Sequence, residues 1–169
     1  VGVPASGKTT IMREVIRRLG PDDATTFKFK KLKGYYWQDL DLYLLGRYEG
    51  EDFDGTDQLP FDVTPDVEAF LQKLEQGVVL FEGDRLTNST VLQAAPRLHV
   101  FTVQPPAHVL RERHNARKQN GNGQPEQWLK GRKTKISNVL ERHDATELPW
   151  ADAEESASIL IQRCQEAHA

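Results

Sequence analysis

The spacing of apolar residues alternates along the chain between a helical period and a strand period, which predicts a mixed α/β protein. Between residues 11 and 19, apolar side chains recur every three or four positions, and Gly20-Pro21 ends that predicted helix. Thr64 and Asp152 are placed to cap two later helices, and Asp152 belongs to a capping box. The polar segment 119–125 predicts a loop. By the same criteria, further helices are predicted over 65–76, 87–95, 105–118, 126–142 and 152–168.

Segments with strand character are of two kinds. Residues 27–48 combine clustered aromatics with alternating leucines and predict a β-hairpin or small meander, followed by an acidic loop at 49–59. The runs at 78–81 and 98–103 are continuously apolar, as burial on both faces of a parallel sheet requires, and 145–148 predicts a last short strand. Because strands alternate with helices, the pattern predicts a parallel, three-layer α/β sheet.

Size and composition favour one globular domain spanning residues 1–169. The chain has 169 residues, and 38% of them are hydrophobic, enough for a real core. No apolar run approaches the length of a membrane span and no signal peptide is visible, so we expect a cytoplasmic protein with no membrane partner. A single cysteine, Cys164, excludes an internal disulfide, and its apolar helical neighbours predict a buried thiol.

Charge is distributed unevenly. The net charge of −3 argues against bulk attraction to nucleic acid, but residues 38–75 carry eleven acidic and two basic residues. Residues 111–143 carry nine lysines or arginines and three glutamates. The asymmetry suits either two solvated faces or a basic surface for a polyanion, and the sequence leaves both open.

The first ten residues carry the strongest chemical signal. Gly2, Gly7, Lys8 and Thr9 fill the pattern of a phosphate-binding loop, in which glycines let backbone N–H groups approach phosphate oxygens. Lys8 is then expected to reach the β- and γ-phosphates of a nucleotide, and the Thr9 hydroxyl to coordinate Mg²⁺. The strand that should precede such a loop is missing, because the chain begins one residue before Gly2. The residues predicted to bind the nucleotide are Gly2, Pro4, Ala5, Ser6, Gly7, Lys8, Thr9 and Thr10.

A second candidate lies directly after the apolar run at 78–81, in the turn Glu82-Gly83-Asp84-Arg85. Ligands of open α/β sheets bind at the carboxyl ends of strands, where acids can hold Mg²⁺ or accept a proton from an attacking hydroxyl. We expect Asp84 to act as general base or to orient the substrate, and Glu82 to be a metal ligand. The simpler alternative is a strand-to-helix turn with a surface ion pair.

Arginines form a third candidate. Arg113 and Arg117 are four residues apart and share a helix face, and guanidinium groups match the charge that spreads over a transferring phosphoryl group. Both are therefore predicted to be catalytic, with Arg111 beside them and the loop at 119–125 able to close over the nucleotide. An exposed basic helix is the alternative.

Candidate contacts to a substrate are weaker. Asp57 could accept a hydrogen bond from a substrate hydroxyl, or form an Asx-type turn. Tyr36 and Trp37 could stack on a base, although aromatic strand residues more often belong to a core or to cross-strand pairs. Arg85 completes the predicted acceptor contacts.

The chain resembles P-loop kinases of the nucleoside and nucleotide type over nearly its whole length. The resemblance rests on Gly2 to Thr9, on Asp84-Arg85 after an apolar strand, and on an arginine-bearing segment at 111–135. Asp84-Arg85 looks like the Asp-Arg pair of thymidylate-kinase-like enzymes, which works near the substrate and the metal. The resemblance implies ATP and Mg²⁺, and a single-domain, three-layer P-loop NTPase fold with a β-hairpin insertion at 27–62 and a helical lid at 111–135.

A narrower resemblance is to bacteriophage 5-hydroxymethyluridine DNA kinases, which phosphorylate the 5-hydroxymethyl group of the modified base within DNA. It implies DNA carrying a modified pyrimidine as the partner and, for a phage protein, the host cytoplasm. Two rivals stay open: a kinase of a free nucleoside, nucleotide or small metabolite, and a nucleotide-hydrolysing switch or motor domain. The segments that carry the resemblance are Leu45-Gly46-Arg47-Tyr48-Glu49-Gly50 with Gly55-Thr56-Asp57, Phe81-Glu82-Gly83-Asp84-Arg85-Leu86, and Leu129-Lys130-Gly131-Arg132-Lys133-Thr134-Lys135.

Overall fold

The structure is a computed structural model that describes residues 1–50 and 54–169, so residues 51–53 of the predicted acidic loop lie outside the described residues. The described helices are α1 (Lys8–Leu19), α2 (Thr64–Lys73), α3 (Ser89–Ala94), α4 (Ala107–Gln119), α5 (Glu126–Arg142) and α6 (Ala153–His168). The strands are β1 (Thr25–Phe29), β2 (Leu32–Trp37), β3 (Leu42–Leu45), β4 (Val78–Phe81), β5 (Val100–Val103) and β6 (Ala145–Leu148). The mixed α/β class is confirmed.

The chain divides into two compact units. The loop unit comprises Val1–Lys8 and His99–Ser156, and the meander unit comprises Thr9–Leu98 and Ala157–Ala169. Within the part of the chain that the structure describes, no helix is both long and apolar enough to cross a bilayer.

The meander unit contains a mixed four-stranded sheet in the order β1-β2-β3-β4. The first three strands form the predicted meander and pair antiparallel, whereas β3 pairs parallel with β4, Leu45 opposite Phe81. The sheet of this unit is therefore mixed, whereas the pattern predicts a parallel sheet with the meander as an insertion. The meander and β4 belong to one sheet, because β3 pairs with β2 along one edge and with β4 along the other. The core packed around this sheet consists of Leu32, Leu45, Leu59, Val63, Val67, Phe70, Leu86 and Val91.

Strand β4 is half-buried along its whole length, not buried on both faces as its apolar sequence predicts. Its place in the strand order explains the difference. It lies at an edge of the four-stranded sheet and pairs with β3 alone among the described strands. An edge strand is covered less completely than a central one.

The loop unit contains a parallel pair, β5 and β6, with Val100 opposite Ala145 and Val103 opposite Leu148. The chain entering the glycine-rich loop runs beside β5, since the amide of Val103 donates to the carbonyl of Val1 at 3.0 Å. Among the described strands, the parallel pairs β3–β4 and β5–β6 lie within segments that the sequence predicts to be strands.

Helix boundaries agree closely with the sequence pattern. The helix predicted over 126–142 is α5 without change, and α6 begins at the predicted cap, where Asp152 Oδ1 accepts from the amide of Glu155 at 2.8 Å. Thr64 is not a cap but the first residue of α2, with Pro65 in the first turn. The sequence analysis missed the cap of α3, Asn88, whose Oδ1 accepts from the amide of Val91 at 3.1 Å.

Candidate functional site

The glycine-rich loop of the loop unit is a turn between the β5 edge and the first residue of α1. The amide of Ser6 donates to the carbonyl of Val3 at 3.2 Å and closes the turn. Ala5 has a φ of 66° and Gly7 a φ of 106°. Left-handed residues inside such a turn let successive N–H groups point to one side, which is the backbone arrangement that binds anions. Pro4 lies in the same turn, half-buried.

The side chain of Lys8 folds back over this loop. Its Nζ donates to the carbonyls of Gly2 at 2.8 Å and Val3 at 3.1 Å, and to Ser6 Oγ at 3.3 Å. Ser6 is fully buried and Gly2 is packed so closely that a Cβ there would meet Ser6 Oγ at 2.6 Å and the Val103 carbonyl at 2.9 Å. The ammonium group, the turn and the N-terminal end of α1 together concentrate positive potential at one place.

Arg113 of α4 also contacts the loop. Its Nη1 donates to the carbonyl of Ala5 at 3.0 Å, and its guanidinium lies 5.9 Å from the ring centre of Trp150. Arg117, predicted to act with it, is exposed on α4. Arg111 is exposed as well. Of the predicted arginines, the structure therefore brings only Arg113 to the loop.

In the meander unit, Thr9 and Glu82 are in direct contact. Thr9 Oγ1 donates to Glu82 Oε1 at 3.1 Å, and Glu82 is 6% exposed. The main chain of Glu82 is fixed by Thr56, whose amide and hydroxyl donate to its carbonyl at 3.2 and 2.8 Å. Gly55 passes so close that a Cβ would meet Glu82 Oε1 at 2.4 Å. A side chain at this position would collide with the carboxylate, so the close approach favours glycine. The glycine of Gly55-Thr56 was the one sequence signal for this contact, and it also fits an ordinary turn.

The oxygen atoms of Thr9 and Glu82 suit a hard cation. Mg²⁺ in nucleotide sites is commonly held by one or two protein oxygens, with phosphate and water completing the shell. Among residues 1–50 and 54–169, no group of three or more His, Cys, Asp or Glu side chains could hold a metal ion. Thr9 and Glu82 supply a hydroxyl and one carboxylate, which are oxygen ligands of the kind that Mg²⁺ accepts.

The two predicted acceptor residues Asp57 and Arg85 lie against each other. Asp57 Oδ1 accepts from the amide of Arg85 at 2.9 Å, and Arg85 Nη2 donates to the carbonyl of Asp57 at 3.1 Å. These bonds join the segment before α2 to the turn after β4. Asp84, the predicted base, is half-buried in that same turn.

Trp37 and Tyr36, the residues predicted to stack on a base, differ in their exposure. Trp37 is 3% exposed, and its Nε1 donates to the carbonyl of Gly20 at 3.0 Å, so its ring belongs to the packing that the sequence left as the alternative. Tyr36 is half-buried, stacks on its cross-strand neighbour Tyr43 at 4.4 Å and donates to Asp41 Oδ1 at 3.0 Å, and desolvation and this bond raise its pKa to about 12. Base stacking by Tyr36 stays a prediction.

Sequence reasoning missed a buried acid in the acidic loop. Asp54 is 4% exposed and forms an ion pair with Arg13 of α1. The Nε and Nη2 of Arg13 donate to Asp54 Oδ2 at 3.1 and 2.6 Å. The amide of Gly50 donates to Asp54 Oδ1 at 3.0 Å. Nothing in the run of acids distinguishes Asp54 from its neighbours, because its partner Arg13 is distant in sequence.

Tyr48, in the same loop, holds a buried hydroxyl that has no hydrogen-bond partner among the described residues. Burial and, next, the negative charge of Glu82 raise the pKa of this phenol well above its ordinary value. The group therefore stays a neutral donor at physiological pH.

The remaining predicted residues lie at the surface. Thr10 is exposed on α1, and the basic residues of α4 and α5 are largely exposed, with the Arg132 guanidinium 4.8 Å above the ring of Trp128. This exposure fits a solvated face and a polyanion-binding face equally well.

Comparisons of the chain with protein-family models, with curated proteins and with solved structures found no match.

Proposed function

We propose that the protein is an ATP- and Mg²⁺-dependent phosphotransferase that acts on a hydroxyl acceptor. The observation that supports this best is the loop at residues 2–7, which opens a helix and has both a lysine and an arginine bonded to its own carbonyls. Two cations held against an anion-binding turn suit a polyphosphate, because charge is neutralised where phosphoryl transfer develops it.

The residues of the loop unit would bind the phosphates. Lys8 exchanges its bonds to the Gly2 and Val3 carbonyls for bonds to β- and γ-oxygens, and Arg113 lies against the loop as the charge that stabilises the transferred group. The amides of residues 5–9 supply further donors. Bound Mg²⁺ supplies additional charge neutralisation, and Thr9 and Glu82 are the side chains that would hold it.

The acceptor we propose is the 5-hydroxymethyl group of 5-hydroxymethyluracil in DNA, which the narrower resemblance suggests. The hydroxyl oxygen forms a bond to the γ-phosphorus while the bond from that phosphorus to the β,γ-bridging oxygen breaks and ADP leaves. Asp84 accepts the hydroxyl proton, and Asp57 with Arg85 contacts the acceptor. The exposed basic residues of α4 and α5 would bind the DNA backbone.

Transfer of labelled phosphate from ATP to a panel of acceptors tests the proposal. The panel holds hydroxymethyluracil DNA, unmodified DNA, nucleosides and nucleoside monophosphates. Lys8→Ala should abolish transfer, and Lys73→Ala, an exposed lysine of α2, is the matched control that should not. Retained turnover in Lys8→Ala would overturn the assignment of the loop.

The same panel separates the rivals. Labelling of DNA that weakens steeply with salt supports the DNA acceptor, because counterion release makes DNA binding salt-dependent. Transfer to a free nucleoside or nucleotide with little salt dependence identifies a small-molecule kinase instead. Strong ATP hydrolysis without any acceptor would favour a nucleotide-hydrolysing switch or motor domain.

A further inference from the structure

Phe61 stands apart from the other aromatic residues that the structure describes. Its side chain is 91% exposed, and within residues 1–50 and 54–169 it is the only large hydrophobic side chain so exposed. It follows Pro60, just before α2, in the segment that Asp57 ties to the turn after β4. A single exposed phenyl group is common on protein surfaces and carries no function by itself.

The contact beneath the ring gives Phe61 its significance. The guanidinium of Arg85 lies 3.8 Å from the ring centre, and its Nη2 is held by the carbonyl of Asp57. The guanidinium is therefore held by a hydrogen bond at Nη2 and by its contact with the phenyl ring. Such a pair is a preorganised flat surface, which loses little conformational entropy when a second flat group stacks on it.

The Arg85 side chain has unused hydrogen-bonding capacity within residues 1–50 and 54–169. Its Nη1 is buried without a hydrogen-bond partner, and its guanidinium has no carboxylate partner, among the residues that the structure describes. Buried donors are normally paired, so an unpaired guanidinium nitrogen marks a site where a further acceptor is missing. The carbonyl oxygens of a pyrimidine and the phosphate of a nucleotide are acceptors of the required kind.

We propose that Phe61 and Arg85 form the stacking platform for the planar base of the acceptor, and this rests on the proposed kinase function. Aromatic rings and arginine planes are the surfaces on which unpaired bases stack in nucleic-acid-binding proteins. Arg85 of the platform lies on the turn that also carries Asp84, the candidate base, and Phe61 comes from the segment before α2 that Asp57 bonds to this turn. The residues that recognise the acceptor and the residue that activates it would therefore be neighbours. The platform would supply the stacking that the sequence assigned to Tyr36 and Trp37.

Substitution of Phe61 tests whether its ring contributes to binding of the acceptor. Phe61→Leu keeps an apolar side chain but removes the ring, and we expect the KM for a single-stranded oligonucleotide with one 5-hydroxymethyluracil to rise about tenfold. The kcat at saturation and the KM for ATP stay unchanged. Phe61→Tyr restores the ring and should restore the KM. Because the side chain is exposed, all variants should unfold at the same denaturant concentration as the parent protein.

A binding measurement tests the platform without catalysis. In Phe61→Trp, the new indole should lose fluorescence when 5-hydroxymethyldeoxyuridine or the oligonucleotide is added, while the parent protein shows a smaller change from Trp37, Trp128 and Trp150. If this quenching occurs but the parent protein transfers phosphate to no base-bearing acceptor, the proposed acceptor is wrong, and Phe61 and Arg85 bind a base that is not phosphorylated. Absence of quenching overturns the platform, as does an unchanged KM in Phe61→Leu.

A change of oligomeric state in Phe61→Leu, with an unaltered KM, would also overturn the proposal, because the ring would then be a contact to another copy of the chain. Size-exclusion chromatography of the parent protein and Phe61→Leu at equal concentration decides this.

Discussion

Arg113 and Arg117 provide a matched pair for testing the phosphate site. They lie one turn apart on α4 and have the same charge, but only Arg113 bonds to the loop, at 3.0 Å from the Ala5 carbonyl. We expect Arg113→Ala to reduce phosphoryl transfer far more than Arg117→Ala. The reason is position, since the two substitutions remove the same charge from the same helix.

The size of the effect follows from Coulomb's law. A guanidinium beside the loop would lie about 5 Å from a bound phosphate, which at an effective dielectric constant of about 20 gives about 3 kcal/mol. If this attraction acts on the transition state, its loss slows transfer by roughly 10²- to 10³-fold. Arg117→Ala should change the rate by no more than about twofold, as is usual for exposed side chains. Arg113→Lys, which keeps the charge and loses the planar fork, should fall between the two.

Single-turnover transfer from saturating labelled ATP measures the effect. Stability has to be measured alongside, because Arg113→Ala also loses a charged hydrogen bond and the contact to Trp150, together about 1–2 kcal/mol for a half-buried side chain. Urea unfolding of each variant shows whether the assay temperature leaves it folded. Equal losses of rate in Arg113→Ala and Arg117→Ala, with both variants folded, would refute the role that we assign to the contact.

Three further predictions concern stability. Tyr48→Phe removes a buried hydroxyl without a described partner, so the free energy of unfolding in urea should stay level or rise by about 1 kcal/mol; a clear loss would reveal a partner that this reasoning lacks. Burial raises the pKa of the Cys164 thiol from 9.0 to about 11, so stability should be constant below pH 9 and fall as pH rises towards 11, by at most about 3 kcal/mol; Cys164→Ala should lack this fall in alkaline unfolding experiments. Hydrogen bonds from Arg17 and Arg18 lower the pKa of Glu14 from 4.5 to about 2, so its stabilising effect is present above pH 4.5 and is lost as pH falls towards 2; Glu14→Gln should flatten acid unfolding in that window, and an unchanged acid profile would mean that the pair is not formed in solution.

Helices and strands were predictable because glycine, proline and capping residues punctuate this chain clearly. Gly20-Pro21 ends α1, and Pro125 precedes α5, so local chemistry alone located both boundaries. Strand partners were not predictable in the same way. The parallel pairing of β3 with β4 joins residues that α2 separates in sequence, and no local pattern specifies such a contact.

In the candidate site, too, features set by local sequence could be predicted and features set by long-range packing could not. The loop at residues 2–9 and the contact of Thr9 with Glu82 are consistent with the roles that the sequence suggests, because the motif itself specifies backbone shape and residue types. The burial of Asp54 by Arg13 and the burial of Trp37 depended on packing between distant segments. The exposure of Phe61 could not be predicted, because the sequence does not distinguish an exposed phenylalanine from a buried one.

A two-residue bridge joins the chain before the acidic loop to Gly55 within it. Arg47 and Gly55 exchange a pair of backbone hydrogen bonds, the amide of Arg47 to the Gly55 carbonyl at 3.1 Å and the reverse bond at 2.6 Å. A loop whose two ends are already joined can change in length at small entropic cost, about 0.6 kcal/mol for each doubling. Changes in length between those two residues should therefore leave β3 and the Glu82 carboxylate in place.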